Sequence, residues 1–329
     1  MKWSWGVPGK RILGGKEMEM PREVLIREVG PRDGFQSWPE FVPTEKKLEV
    51  IKALIQAGVK EMETTSFVSP KAVPQMRDAK EVMAGVPRNG CRHAALVPNL
   101  RGAELALEAE ADELVVVISA SESHNMANVR RTVAQSLEEL GPIVAAAKKR
   151  NVPVTGAISV AFGCPYQGDV SLEEVFRVAG GYAEAGVRRI LLADTTGMAT
   201  PLRLKRVVMA VKEKFPELDV GVHLHNNRGT AMANLYAALE VGVTIFDTAL
   251  GGIGGCPNVP QAAGNLATED VVFMLEDMGI STGIDLVKVI QAARLLEEIL
   301  GRTLPGQVMK SGPRDPELAE RICGIPRHP

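Results

Sequence analysis

His223-Leu224-His225 sets two imidazoles two residues apart, and they are two of only five histidines in the chain. Successive residues of a strand face opposite ways, so an i, i+2 pair projects both rings to one side. Joined by the Asp33 carboxylate and the amide oxygen of Asn265, the pair makes a mixed nitrogen and oxygen donor set. Such a set suits Mg2+ or Mn2+ and leaves positions for water and substrate. The plainer alternative is that one histidine caps a hydrogen-bond network and the other is incidental. Arg32, beside Asp33, can pair with Glu63 or another acid as scaffold, and its place beside Asp33 argues against a surface role. Asp194, ending strand six, is either a site residue or a cap near Thr195 and Thr196. Cys256 sits in Gly251-Gly252-Ile253-Gly254-Gly255-Cys256-Pro257, and a glycine run of this kind suits a lid carrying a thiol over a substrate. It also suits a tight turn with a packed cysteine, or a phosphate-binding loop.

These residues act together only if the fold gathers them. Apolar, β-branched runs predict strands at 24–29, 60–65, 92–97, 113–118, 153–160, 188–193, 219–224 and 244–249, with amphipathic segments between them. Alternation at this spacing means parallel βα units, and eight of them in about 250 residues match a (β/α)8 TIM barrel. An open doubly wound sheet also alternates, but the G-x-G-x-x-G that would favour it is absent after the first strand, where Gly30-Pro31-Arg32-Asp33-Gly34 stands. In a barrel the C-terminal strand ends form the active-site mouth. Arg32 and Asp33 follow strand one, Glu63 lies in strand two, Asp194 ends strand six, the histidines end strand seven, and Cys256 and Asn265 follow strand eight.

Helix signals agree. Thr44 is expected as an N-cap and Gly58 as a stop around the apolar face of Leu48, Ile51, Leu54 and Ile55. Ser171-Leu172-Glu173-Glu174 reads as a capping box, and Thr200-Pro201 puts proline in a first helical turn. No linker splits the chain. Residues 1–22 read as an irregular leader and 23–329 as a single barrel domain, with a C-terminal helical extension from about 266.

Hydrophobic residues make up 45% and charged residues 24%, a soluble globular balance. A formal net charge of −2 argues against a nucleic-acid partner. No apolar run approaches the roughly 20 residues of a membrane span. The four cysteines are scattered, with no C-x-x-C, which suits a reducing cytoplasm rather than a disulfide framework.

The chain resembles the 3-hydroxy-3-methylglutaryl-CoA lyase family, within the metal-dependent barrel lyases and Claisen-type synthases. The resemblance runs from about residue 24 to 300. It is carried by Glu28-Val29-Gly30-Pro31-Arg32-Asp33-Gly34, Glu63-Thr64-Thr65-Ser66-Phe67-Val68-Ser69-Pro70-Lys71, Val73-Pro74-Gln75-Met76, Gly163-Cys164-Pro165-Tyr166, the H-x-H, Gly252-Ile253-Gly254-Gly255-Cys256-Pro257 and Gly264-Asn265-Leu266-Ala267-Thr268-Glu269-Asp270. It implies a divalent metal on Asp33, His223, His225 and Asn265, with Arg32 stabilising the enolate, Glu63 in the same cluster and Cys256 acting from the loop. Proton transfer is left among His223, Asp194, Cys256 and a bound water. It further implies an acyl-CoA substrate, a homodimer, and a place in leucine degradation or ketone-body formation.

The surroundings depart from the family. Phe35-Gln36-Ser37-Trp38-Pro39 replaces L-Q-N-E-K, Asn226-Asn227-Arg228-Gly229 replaces Asp-Thr-Tyr-Gly, and Asn258 replaces a Tyr. Citramalyl-CoA or an isoprenoid-extended glutaryl-CoA is therefore an alternative substrate. A condensing synthase of the same superfamily is a second alternative, and a barrel that binds without catalysis a third.

Overall fold

The computed structural model describes residues 11–13, 16–18, 20–255 and 264–324. Eight parallel strands close into a barrel in sequence order: β1 (Leu25–Glu28), β2 (Glu61–Ser66), β3 (Arg92–Leu96), β4 (Glu113–Ser119), β5 (Val154–Ser159), β6 (Arg189–Asp194), β7 (Asp219–Leu224) and β8 (Ile245–Thr248), with β8 pairing back onto β1. Every boundary falls within one residue of the sequence expectation, because buried parallel strands keep their apolar runs intact.

Alternation along each strand sorts side chains into two layers. Ala94, Val115, Ala157, Leu191 and Ile245 fill the lumen. Ile26, Met62, Leu114, Ile190, Val222 and Phe246 face outward into the layer shared with the helices. The lumen also holds charge. Arg27 of β1 is 1% exposed, and its guanidinium donates to Glu113 of β4 at 3.1 Å and to Asp247 of β8 at 2.9 Å. Arg189 of β6 reaches Glu61 of β2 at 2.6 Å. Breaking such buried pairs costs about 3–5 kcal/mol, so they hold the strands in one register.

The helices that cover the barrel follow their punctuation. Ser171 and Glu174 form the capping box of α6 (Leu172–Glu184), and Thr200 precedes Pro201 of α7 (Pro201–Lys214). Gly58 caps α1 (Thr44–Ala57) with φ 105°. Thr44 is not the N-cap of α1. The helix begins at Thr44 after Pro43, and the Thr44 hydroxyl donates to Asp78 at 2.8 Å instead.

Two other expectations shift. Arg11–Leu13 and Lys16–Met18 pair antiparallel, so part of the leader is a hairpin rather than irregular chain. Two short runs separated by Gly14-Gly15 carry the sequence signal of a two-residue hairpin turn. After residue 266, α9 (Thr268–Asp277) and α10 (Leu286–Leu300) belong to the barrel's own outer layer. Helix α10 packs against α1 and buries Val289, Ala292, Ala293 and Leu296 in the common core. Among the described residues only α11 (Val308–Ser311) and α12 (Pro316–Cys323) lie beyond it. No helix among the described residues is long and apolar enough to cross a membrane.

Candidate active site

Inward alternation in β7 brings His223 to the lumen at the C-terminal end of the barrel, and His225 follows one residue past the strand. The two rings meet edge to edge, with Nε2 of each 2.9 Å apart. Asp33 arrives from the π-helical turn Gly30–Gly34 after β1, and its Oδ2 lies 3.7 Å from His225 Nε2. One ligand atom from each of Asp33, His223 and His225 falls within 4.8 Å of the others. Asn265 joins them, since His225 and Asn265 bridge their backbones and Asn265 Nδ2 donates to Asp33 Oδ2 at 2.7 Å. Its amide oxygen Oδ1 is buried without a partner among the described residues. Buried polar atoms left unpaired are rare, and a carbonyl oxygen held beside a carboxylate and two imidazole nitrogens is a donor set fit for a hard divalent cation. The four residues expected to meet therefore do so.

The electrostatics of His225 and Asp33 suit ligation. Burial, with the His223 charge, pushes His225 down to about 4, so it is neutral near pH 7, the form in which an imidazole ligates a metal. Burial opposes ionisation of Asp33, but Arg32 and the two histidines outweigh it and hold the carboxyl down at about 2. Burial also lowers His223, yet the hydrogen bond and charge of Asp247 raise it overall.

Arg32 is 8% exposed and bridges two acids, donating from Nη1 to Asp33 Oδ1 at 2.6 Å and from Nη2 to Glu63 Oε2 at 2.8 Å. Glu63 reaches it from β2, where the pairing with β3 slips register between Glu63 and Thr65. Such irregularities re-aim side chains beside sites. Glu63 Oε1 keeps no partner among the described residues.

Asp194 is placed differently. The lumen receives Leu191 and Ala193, so alternation turns Asp194 outward. Its carboxylate accepts the backbone N–H of Met198 at 2.7 Å and of Ala199 at 3.1 Å, capping the loop that leads to α7. Burial pushes it up to about 6. Both oxygens serve the loop, which favours the capping alternative over proton transfer. Cys256 lies outside the described residues. The preceding Gly254 passes directly over the ligands, and a Cβ there would meet Asn265 Nδ2 and lie 3.0 Å from Asp33 Oδ2.

Asp247, which the motifs do not single out, also joins this cluster. It is 3% exposed, accepts from Arg27 through Oδ1, and sits 3.1 Å from His223 Nδ1 through Oδ2. A carboxylate on the far nitrogen fixes tautomer and ring orientation in metal-ligating histidines. The signal was parity: in Ile245-Phe246-Asp247, an inward Ile245 makes Asp247 inward too, level with His223 in the β7–β8 register. Asp247→Asn is expected to weaken Mn2+ binding by about 10–100-fold, since an amide cannot hold His223 as the carboxylate does. Calorimetric Mn2+ titration of the variant checks this, and an unchanged Kd would refute it.

A family profile described as HMGL-like matches residues 23–296. The hydroxymethylglutaryl-CoA lyase YngG of Bacillus subtilis (strain 168) is 44% identical over 298 residues, 89% of this chain and 100% of that protein. The (R)-citramalyl-CoA lyase of Chloroflexus aurantiacus is 41% identical over 306 residues, 90% of this chain and 96% of that protein. Among solved structures, an HMG-CoA lyase from Acinetobacter baumannii in complex with coenzyme A and 3-methylmalate superposes with a TM-score of 0.86 at 44% identity, covering 91% of this chain and 98% of that one.

Proposed function

This chain belongs to the HMGL-like family and is a carbon–carbon lyase, and from that premise we propose that it cleaves 3-hydroxy-3-methylglutaryl-CoA to acetyl-CoA and acetoacetate. The observation that carries the reading is the convergence of Asp33, His223, His225 and Asn265 beside the buried Arg32 at one barrel mouth.

Asp33, His223, His225 and Asn265 would hold Mg2+ or Mn2+. When bound, a divalent cation supplies Lewis acidity to the substrate hydroxyl and carboxylate. The chain's own groups do the rest. The proton of the tertiary hydroxyl goes to a base, the bond between that carbon and the carbon beside the thioester breaks, and its electron pair passes to the thioester as an enolate. The carbinol carbon becomes the ketone of acetoacetate. Arg32 stabilises the enolate oxygen, as fixed donors do in an oxyanion hole. His223 spends Nδ1 on Asp247, and Asp194 spends its oxygens on the loop. Glu63 Oε1 is therefore the base this arrangement supports, because it is the carboxylate oxygen of the cluster without a partner among the described residues. A proton returned to the enolate carbon completes acetyl-CoA, and the sequence supports the Cys256 thiol as its source. A free thiol titrates near pH 8.5, so at neutral pH it carries that proton. Cys256→Ser is expected to keep metal binding and melting temperature while slowing turnover. A serine variant with normal kcat would remove the thiol from the mechanism.

A second reading, (R)-citramalyl-CoA, is supported by the 41% identical (R)-citramalyl-CoA lyase. Comparing kcat/KM for both thioesters with Mg2+ or Mn2+ decides between them. Acetoacetate as the preferred keto acid supports the first reading, and pyruvate the second. We also infer a cytoplasmic homodimer, supported by the resemblance and by free Cys91, Cys164 and Cys323, which suit a reducing compartment. Sedimentation of the purified chain tests the stoichiometry.

A further inference from the structure

Glu28 ends β1 and faces away from the lumen, because Leu25 and Arg27 of the same strand face into it. A carboxylate in the apolar layer between barrel and helices is costly to bury unless it is hydrogen-bonded. Glu28 is 0% exposed and all its bonds go to segments that build the metal site. Its Oε1 accepts the N–H of Gly30 at 2.8 Å and that of Leu250 at 2.9 Å. Its Oε2 accepts the Thr268 hydroxyl at 2.6 Å. Gly30 opens the turn carrying Arg32 and Asp33. Leu250 opens the turn that leads into the glycine run over the ligands. Thr268 begins α9, three residues after Asn265.

One carboxylate thus joins the three segments that bring Asp33, Gly254 and Asn265 together. The approach is close, since a Cβ on Gly30 would stand 2.6 Å from Glu28 Oε1. Glu269, also 0% exposed, adds a second tie by accepting the N–H of Gly251 at 3.0 Å. Burial pushes Glu28 up to about 7, so the fold keeps this carboxylate against a real desolvation cost.

We propose that Glu28 is a positioning residue of the metal centre, setting the spacing of Asp33 and Asn265 by pinning the roots of their segments from outside the barrel wall. The inference rests on the metal-site reading above. A purely structural Glu28 would affect melting temperature alone.

Mn2+ titration of the metal-free full chain separates these outcomes, in wild type, Glu28→Gln and Glu28→Ala, with thermal melts and amide exchange at Gly30 and Leu250 alongside. The Gln variant keeps an oxygen for both N–H groups, whereas the Ala variant keeps none. The Ala variant is expected to bind Mn2+ about 10–100-fold more weakly and to exchange both amides faster. The Gln variant is expected to restore most of the affinity. A folded Ala variant with the wild-type Kd would overturn the proposal. If the Ala variant does not fold, Thr268→Val replaces it: losing the hydroxyl that Glu28 Oε2 accepts is expected to weaken Mn2+ binding measurably, and a wild-type Kd in a folded Thr268→Val overturns the proposal equally. Wild-type protein that takes up no Mn2+ brings down the metal reading and this inference with it, while loss confined to melting temperature sinks this inference alone.

Discussion

Arg32→Lys is expected to lower kcat by about 10²–10³ while leaving KM for the thioester nearly unchanged, because the lost donor acts on charge that exists only in the transition state. The guanidinium is held rigid by Asp33 at 2.6 Å and Glu63 at 2.8 Å on its two terminal nitrogens. A planar fork can satisfy two carboxylates and still present an N–H edge. Its Nε is buried without a partner among the described residues. Lysine keeps the charge but is a point donor with no fork, so it loses either the scaffold pairs or the oxyanion contact. The Asp33 pair offers a second route to the same loss, through a disturbed metal ligand. Measuring the Mn2+ Kd of the same variant separates the two. Normal metal affinity with a fallen kcat supports enolate stabilisation, and a kcat equal to wild type rules it out.

Gly254→Ala is expected to abolish turnover and to weaken Mn2+ binding by more than about 100-fold, the other large effect. Two costs add at this position. The backbone has φ 119°, a conformation that strains L-residues by roughly 1–3 kcal/mol. The new methyl would also meet the Asn265 amide nitrogen and stand 3.0 Å from Asp33 Oδ2. Neither neighbour can yield without losing its place in the ligand set, since Asn265 Nδ2 also donates to Ile253 O at 3.1 Å. The melting temperature should fall only modestly, because the strain is local. Binding and melting measured together check this. A variant that binds Mn2+ normally would show that the glycine run lies off the metal site.

Much of this site is legible in the amino-acid sequence. The eight strands can be placed because parallel strands covered on both faces keep short apolar runs, and the punctuation at Ser171, Pro201 and Gly58 depends on local chemistry alone. Asp33, His223, His225 and Asn265 are legible as donors at strand ends. Their meeting is not, because convergence belongs to barrel closure, which brings β8 against β1. Asp194 and Asp247 show the same limit in opposite directions. Both are aspartates at strand ends, but parity turns Asp194 to the loop and Asp247 to His223, and a one-residue difference in register decides which. Glu28 is hidden for another reason: its three partners lie at positions 30, 250 and 268, far apart in sequence. Thr44 reads as a cap because it precedes an apolar helix, whereas its hydroxyl is claimed by Asp78 on a neighbouring segment.

On the proposed mechanism, a divalent ion held by Asp33, His223, His225 and Asn265 is what lets this lyase break a carbon–carbon bond. That is tested most directly by measuring acetyl-CoA and acetoacetate released from 3-hydroxy-3-methylglutaryl-CoA by metal-stripped protein, before and after Mn2+ is returned, in wild type and His223→Ala side by side. The expected result is no products from stripped wild type, equimolar acetyl-CoA and acetoacetate once Mn2+ is restored, and no recovery in His223→Ala. Undiminished cleavage by the stripped protein, or full recovery in His223→Ala, would contradict it.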